Sequence, residues 1–194
     1  MAAMGNRHKF ASGLAFLALL VAGCGAGAGE GGAHPDYAKA LAGSPPPLAA
    51  LYRQENQLLP GGADAYEQRI AALRGYPVVV NFWGSWCGSC RLEFPTLQKV
   101  SAKYGKRVAF LGVNSEDSES NASEFLEEDP VPYPSYTDPD KAVAESVGVR
   151  GFPDTAFYNR HGDFCYLKPG QYSDSGALEA DLRRFALSGE CESG

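Results

Sequence analysis

The chain has 194 residues, 44% of them hydrophobic and 21% charged, which is enough apolar material for one domain with a sizeable core and argues against a disordered chain. Its formal net charge is −6 and no basic patch stands out, which disfavours nucleic acid as a partner. Acidity of this degree speaks to solubility rather than to a substrate.

At the start of the chain Arg7, His8 and Lys9 form a short basic region, residues 10–20 an apolar stretch, and Val21-Ala22-Gly23-Cys24 a small-residue cleavage site with cysteine immediately after it. This arrangement resembles a bacterial lipoprotein signal, in which cleavage precedes Cys24 and the new terminal cysteine is acylated. The alternative is an ordinary secretory signal with an incidental Cys24 and a secreted product; either one exports the protein. Acyl chains on Cys24 would anchor it to a bacterial membrane. Residues 25–43 are mostly Gly and Ala and read as a tether, closed by Ser44-Pro45-Pro46-Pro47. Leu48, Leu51, Tyr52 and Leu58 recur at helical spacing over 48–59, and Pro60-Gly61-Gly62 breaks that helix. Tyr66, Ile70 and Leu73 mark one face of a second helix over 64–73.

Tyr76-Pro77-Val78-Val79-Val80-Asn81-Phe82-Trp83, bounded by Gly75 and Gly84, predicts a buried strand, and residues 91–100 return to helical spacing. Trp86-Cys87-Gly88-Ser89-Cys90 therefore falls at a strand-to-helix junction, with Cys87 at the helix start and Cys90 about one turn inside. A thiol there faces unpaired N–H groups and the positive end of the helix dipole, which stabilises the thiolate and lowers its pKa. Cys87 is thus the expected nucleophile, and Cys90 the residue that attacks the mixed disulfide and releases the product. Two such cysteines are also half of a zinc site, but zinc asks for four ligands, no second pair follows, and His8, His34 and His161 are scattered. No metal and no other cofactor is expected. Pro95 removes one donor from the helix it enters. Trp83 and Trp86 flank the thiols, and Trp86 is expected to form an apolar wall beside Cys87.

Residues 107–114 predict a second buried strand, 121–129 a helix, 133–136 at most a short strand among prolines, and 140–147 a short helix. Residues 155–159 and 164–167, joined by Arg160-His161-Gly162-Asp163, predict a β-hairpin; Leu178, Leu182, Phe185 and Ala186 mark the closing helix over 174–187. The sum is α/β, a central sheet with helices on both faces.

Val80-Asn81-Phe82-Trp83-Gly84-Ser85-Trp86-Cys87-Gly88-Ser89-Cys90-Arg91-Leu92-Glu93-Phe94-Pro95, with Gly148-Val149-Arg150-Gly151-Phe152-Pro153, resembles the thioredoxin superfamily, in particular its TlpA/ResA-like branch of extracytoplasmic thiol-disulfide oxidoreductases. The resemblance covers about residues 76–187. It implies a thioredoxin-like mixed sheet with an extra helix-strand insertion. Together with the reading of the first residues this divides the chain into a signal peptide over 1–23, an acylated flexible tether over 24–46, and a thioredoxin-like domain over 47–194 with a helical N-terminal extension. Many members begin with an extended hairpin where this segment looks helical. The resemblance makes Phe152-Pro153 the cis-proline position, which lies across from the cysteines and presents the backbone of residue 152 to a substrate chain. Members commonly follow that proline with threonine; here Asp154 stands, a carboxylate able to raise the pKa of Cys87 unless it points to solvent. Glu93 matches a glutamate linked in relatives to proton handling, and a carboxylate near a buried thiol can accept the proton Cys90 must lose. A surface glutamate favoured by the helix dipole is the alternative.

Of the five cysteines, Cys165 and Cys191 remain, in a compartment where disulfides persist. Cys165 begins a predicted strand and Cys191 follows the closing helix that returns toward it, so a structural bridge is expected. The alternatives, two independent thiols or a second redox pair, have no short spacing or helix start behind them. Gly88-Ser89 carries no cation to hold a thiolate strongly, which favours a reductant or mid-range protein in the span of about −270 to −120 mV. The reading is a thiol-disulfide oxidoreductase that reduces disulfides of exported proteins, cytochrome c maturation being one client by analogy, with an unidentified membrane electron donor and a monomeric state. Its competitors are a disulfide-forming oxidant, a peroxidase whose Pro-x-x-x-Thr-x-x-Cys context is absent before Cys87, and a copper-binding assembly module, which usually needs a wider cysteine spacing and a partner histidine.

Overall fold

The computed structural model describes residues 1–2 and 34–191; the expected signal peptide and Cys24 lie outside them. Six strands, β1 (Leu58–Leu59), β2 (Val78–Trp83), β3 (Ala109–Ser115), β4 (Ser135–Asp138), β5 (Asp154–Tyr158) and β6 (Phe164–Pro169), form one sheet in the order β1-β4-β3-β2-β5-β6. The first four in that order run parallel, and β5 and β6 are antiparallel to their neighbours. Every residue of β2 and β3 is buried, as expected for central strands covered on both faces.

The helices are α1 (Tyr37–Ala40), α2 (Pro46–Tyr52), α3 (Gly62–Ala72), α4 (Gly88–Tyr104), α5 (Glu119–Glu128), α6 (Ala142–Val147) and α7 (Ser175–Asp181), the last running on as a π-helical turn over Leu182–Leu187. Neighbouring residues of β2 show how they divide, because successive side chains point to opposite faces. Asn81 bonds to Glu93 of α4, whereas the ring of Phe82 meets Tyr66 of α3 at 6.5 Å. On the α4 face Trp83, Phe94 and Phe125 close together, with ring centroids 4.6–5.3 Å apart. Further along the same face Phe157 packs on Tyr166 and Phe185. The unit α5–β4–α6 is inserted between β3 and β5, and Gly148 ends α6 at φ +87, a left-handed conformation that costs glycine little.

Three expectations are corrected. The tether expected to run to residue 46 is already structured from Asp36, whose carboxylate caps α1 through the Lys39 N–H, and the Tyr37 hydroxyl donates to the Pro130 carbonyl at 2.9 Å. The helix expected over 48–59 stops at Tyr52, and Leu58–Leu59 instead lie parallel to Ser135–Tyr136 at the sheet edge. Asn56 turns the chain there, at φ 59, donating through its amide to the Leu126 carbonyl and accepting the Val131 N–H at 2.8 Å. Those partners come from far along the chain, so helical periodicity carried no trace of them. The closing helix, read as one α-helix, changes to π-helical winding at Leu182.

Candidate active site

β2 delivers the chain at Trp83, a turn follows in which the Cys87 N–H donates to the Gly84 carbonyl at 3.1 Å, and α4 begins at Gly88 with Cys87 as its N-cap. Cys87 and Cys90 are disulfide-bonded, S–S 2.04 Å and Cα–Cα 5.2 Å. The Cys87 Sγ accepts the Cys90 N–H at 3.1 Å, one of the helix donors that has no partner within the helix. Cys87 is 5% exposed and Cys90 fully buried, so an incoming reactant meets Cys87 first. The loop ahead of the pair is held from outside: Asp117 accepts the Ser85 N–H at 2.6 Å and the Ser85 hydroxyl at 2.9 Å, and also the Asn114 amide at 2.9 Å.

Opposite lies the loop before β5, with a cis peptide bond between Phe152 and Pro153. The Ser89 hydroxyl lies 3.5 Å from both the Cys87 Sγ and the Phe152 carbonyl and bridges the two loops. Trp86 and Phe152 meet edge to face at 5.6 Å. The two tryptophans part company here. Trp83 is buried and donates to the Ser135 hydroxyl, a core residue, whereas Trp86 is 54% exposed beside the sulfurs. Trp86 lies so close over Gly84 that a Cβ there would stand 2.5 Å from the indole nitrogen.

Glu93, on α4 one turn beyond Cys90, is fully buried and makes no hydrogen bond to either sulfur among the described residues. Its carboxylate accepts the Asn81 amide at 3.1 Å and the Tyr172 N–H at 2.8 Å. Burial pushes its pKa up to about 7; the Tyr172 N–H, Lys168 and Asn81 oppose the rise and Asp154 adds to it. Asp154 does not point to solvent. It is buried, and its carboxylate accepts the N–H groups of Gly170, at 3.0 Å, and of Arg150. Burial also raises its pKa. The structure thus gathers Trp86, Cys87, Cys90, Phe152 and Pro153 at one end of the sheet with Glu93 behind them. Cys165 and Cys191 are bonded to each other at the opposite end, where β6 begins. Asn81, Asp117, Lys168 and Tyr172 had no assignment from sequence. Asn81 alone carried a signal, an amide inside an otherwise apolar strand.

The Glu93 pKa makes a stability prediction. A carboxyl whose pKa is raised on folding stabilises the fold fully below its unfolded pKa, near 4.5, and that stabilisation is lost as pH rises through about 7. The difference corresponds to about 3 kcal/mol. Glu93→Gln cannot ionise, and the Asn81 amide can turn to offer its otherwise unpartnered oxygen to the new amide. Urea unfolding of the oxidised protein is expected to show the variant about 3 kcal/mol more stable than wild type at pH 8 and equal to it near pH 4.5. A difference that does not change with pH would remove Glu93 as the titrating group.

A strand-turn-helix disulfide facing a cis-proline loop, on a sheet layered with helices on both faces, defines the thioredoxin-like class of protein. Residues 42–182 match the family described as Redoxin, and the chain belongs to that family. It is similar to the thiol:disulfide interchange protein DsbE of Pseudomonas fluorescens biotype C, 39% identical over 93 residues, 47% of this chain and 51% of the relative. It is also similar to the thiol-disulfide oxidoreductase ResA of Halalkalibacterium halodurans, 29% identical over 102 residues, 52% of this chain and 58% of the relative. Among solved structures it resembles the exposed lipoprotein thioredoxin Etrx1 of Streptococcus pneumoniae strain TIGR4, with TM-score 0.53, 25% identity, and coverage of 59% of this chain and 89% of that one. The chain spans about half the length of the curated relatives it matches first.

Proposed function

We propose that the protein is a thiol-disulfide oxidoreductase that reduces disulfides in exported proteins. The observation that carries this is Cys87, bonded to Cys90 at the first turn of α4, with its sulfur on a helix N–H and the Phe152-Pro153 loop across from it. In the reduced protein the Cys87 thiolate attacks one sulfur of a client disulfide, which breaks, and a client thiolate leaves. Cys90 then gives up its proton and attacks the Cys87 sulfur; the mixed disulfide breaks, the second client thiolate leaves, and the Cys87–Cys90 disulfide forms. Glu93, buried behind the pair with a pKa of about 7, is suited to take up the Cys90 proton near neutral pH. An electron donor must return the disulfide to the dithiol. The backbone of Phe152 and the exposed face of Trp86 receive the client chain.

The reducing direction is supported by Gly88-Ser89, which puts no cation beside Cys87, and thiol-disulfide exchange by relatives bearing the names DsbE and ResA. Cytochrome c maturation as a source of clients rests on the family resemblance. The location is extracytoplasmic, with a lipid anchor at Cys24; a lipoprotein among the similar structures supports this reading. No helix among the described residues is long and apolar enough to cross a membrane.

Alkylation kinetics and redox titration test the proposal. In the reduced protein Cys87 is expected to react with iodoacetamide with an apparent pKa below the ~8.5 of free cysteine, and Cys90 to stay unreactive until unfolding. A midpoint potential nearer about −270 than −120 mV is expected for a reductant. A Cys87 no more reactive than free cysteine would defeat the assignment, and a potential near the upper figure would reverse the direction.

A further inference from the structure

The strand register places three polar side chains in one row. Asn81 of β2 lies opposite Thr155 of β5, and Thr155 lies opposite Lys168 of β6. Residues directly opposite one another project on the same face of a sheet. Asn81 reaches Glu93 from that face, so the row runs from beneath the buried carboxyl outward to the edge strand, where Lys168 stands half-buried. There the lysine ammonium clasps the turn between β6 and α7, donating to the carbonyls of Gly170 and Gln171, the latter at 2.6 Å, and lies 4.4 Å from the centre of the Tyr172 ring.

The turn so clasped also holds the buried carboxylates. Gly170 presents its N–H to Asp154, and Tyr172 presents its N–H to Glu93. The far end of the Tyr172 side chain is pinned by its hydroxyl on Asp181 of α7 at 2.6 Å. The groups facing Glu93 are the neutral Asn81 amide from β2, the Asp154 carboxylate from β5, Lys168 from β6, the Tyr172 amide and phenol from the turn, and the Tyr133 phenol from the segment before β4. Lys168 is the cation among the main influences on it, and it acts on Asp154 as well.

We infer that Lys168 is a positioning residue that sets the proton affinity of Glu93, by holding the β6–α7 turn so that the Tyr172 amide meets the carboxylate and by setting a positive charge against two buried acids. It makes no hydrogen bond to either sulfur among the described residues, and its effect on the chemistry runs through Glu93. Its consequence for turnover rests on Glu93 serving as the proton acceptor for Cys90, as proposed above. Two contributions of the same sign are lost together when the ammonium is removed: the nearby positive charge and the ordered amide. An opposite charge facing a carboxyl lowers its pKa.

The test is a pH titration of the Tyr172 backbone amide by 15N–1H NMR on the full chain, since that amide is bonded to Glu93 and reports its ionisation. Wild type, Lys168→Met, Lys168→Gln and Lys168→Arg are compared, with the pH profile of Cys90 attack on a preformed Cys87 mixed disulfide measured alongside. The Met and Gln variants are expected to titrate at a higher pH than wild type, with Arg restoring the wild-type midpoint. If the midpoint stays where it is in a folded Met or Gln variant, the inference is overturned. If the midpoint rises and the attack profile rises with it, both readings stand. If the midpoint rises and the attack profile does not, the assignment of Lys168 stands and the proton-acceptor role of Glu93 fails.

Discussion

Replacing Cys90 with Ser is expected to bring turnover to background and to leave Cys87 covalently joined to the client it attacks. The two sulfurs are within bonding distance, and among the described residues the buried Cys90 is the only thiol placed to reach the Cys87 sulfur once an adduct has formed. A serine hydroxyl at that position is not ionised near neutral pH and does not displace a thiolate, so the mixed disulfide has no internal route to break. The exchange of sulfur for oxygen is small, and the first half-reaction needs only Cys87 at the mouth of α4. Expressed in the native host, the variant is therefore expected to accumulate protein adducts that migrate apart under non-reducing conditions and collapse to the free chain on reduction. Cys87→Ser should form none. Mass spectrometry of the adducts identifies the clients. Steady turnover by the Cys90 variant, or adducts equally abundant with Cys87→Ser, would remove the two-step exchange from the protein.

Removing the second disulfide is expected to have the largest effect on stability and none on chemistry. Cys165 and Cys191 are 26 positions apart, and closing a loop of that length in the unfolded chain is worth about 3.5 kcal/mol on the chain-entropy model. The bridge ties the chain after the closing helix to the start of β6, where Asn159 packs against it from the end of β5. Cys165→Ala with Cys191→Ala should lower the free energy of unfolding by about 3.5 kcal/mol in urea and raise the m-value, because the untied unfolded chain exposes more surface. Using the double variant rather than a reductant leaves the Cys87–Cys90 bond as it was. Reactivity of Cys87 should not change, since the bridge stands at the opposite end of the sheet from the Phe152-Pro153 loop. An unchanged urea midpoint would mean that the bridge contributes nothing to the fold, and an altered Cys87 pKa would couple the two ends.

Much of the fold was legible because its signals are local. A continuous apolar run such as Val78-Val79-Val80 needs only its own composition to announce a strand buried on both faces, and an apolar stripe such as Tyr66, Ile70, Leu73 announces a packed helix. The place of Cys87 was legible for the same reason: the apolar run ends at Trp83 and the helical run follows, so the cysteine falls at the head of the helix. Leu58 misled because a residue that continues a helical stripe serves equally well in an edge strand. The hydrogen bond from the Asn56 amide to the Leu126 carbonyl and the one it accepts from the Val131 N–H, which no local pattern contains, made the choice.

By itself the chain's order of residues determined the layered sheet, the dithiol at the head of a helix and the pairing available to the remaining cysteines, since each depends on neighbours within a few positions or on elements whose ends must meet. Only the tertiary structure decided the electrostatics behind the sulfurs. Glu93 could have been a surface carboxylate on a first helical turn; it is instead sealed between Asn81 of β2, the Tyr172 amide and the charge of Lys168, contributed by segments that meet only when the strands pair in register. Asp154, which sequence left free to point to solvent, is buried and holds the amides of Arg150 and Gly170. A pKa is set by burial and by charges across space, and neither is a property of adjacent residues.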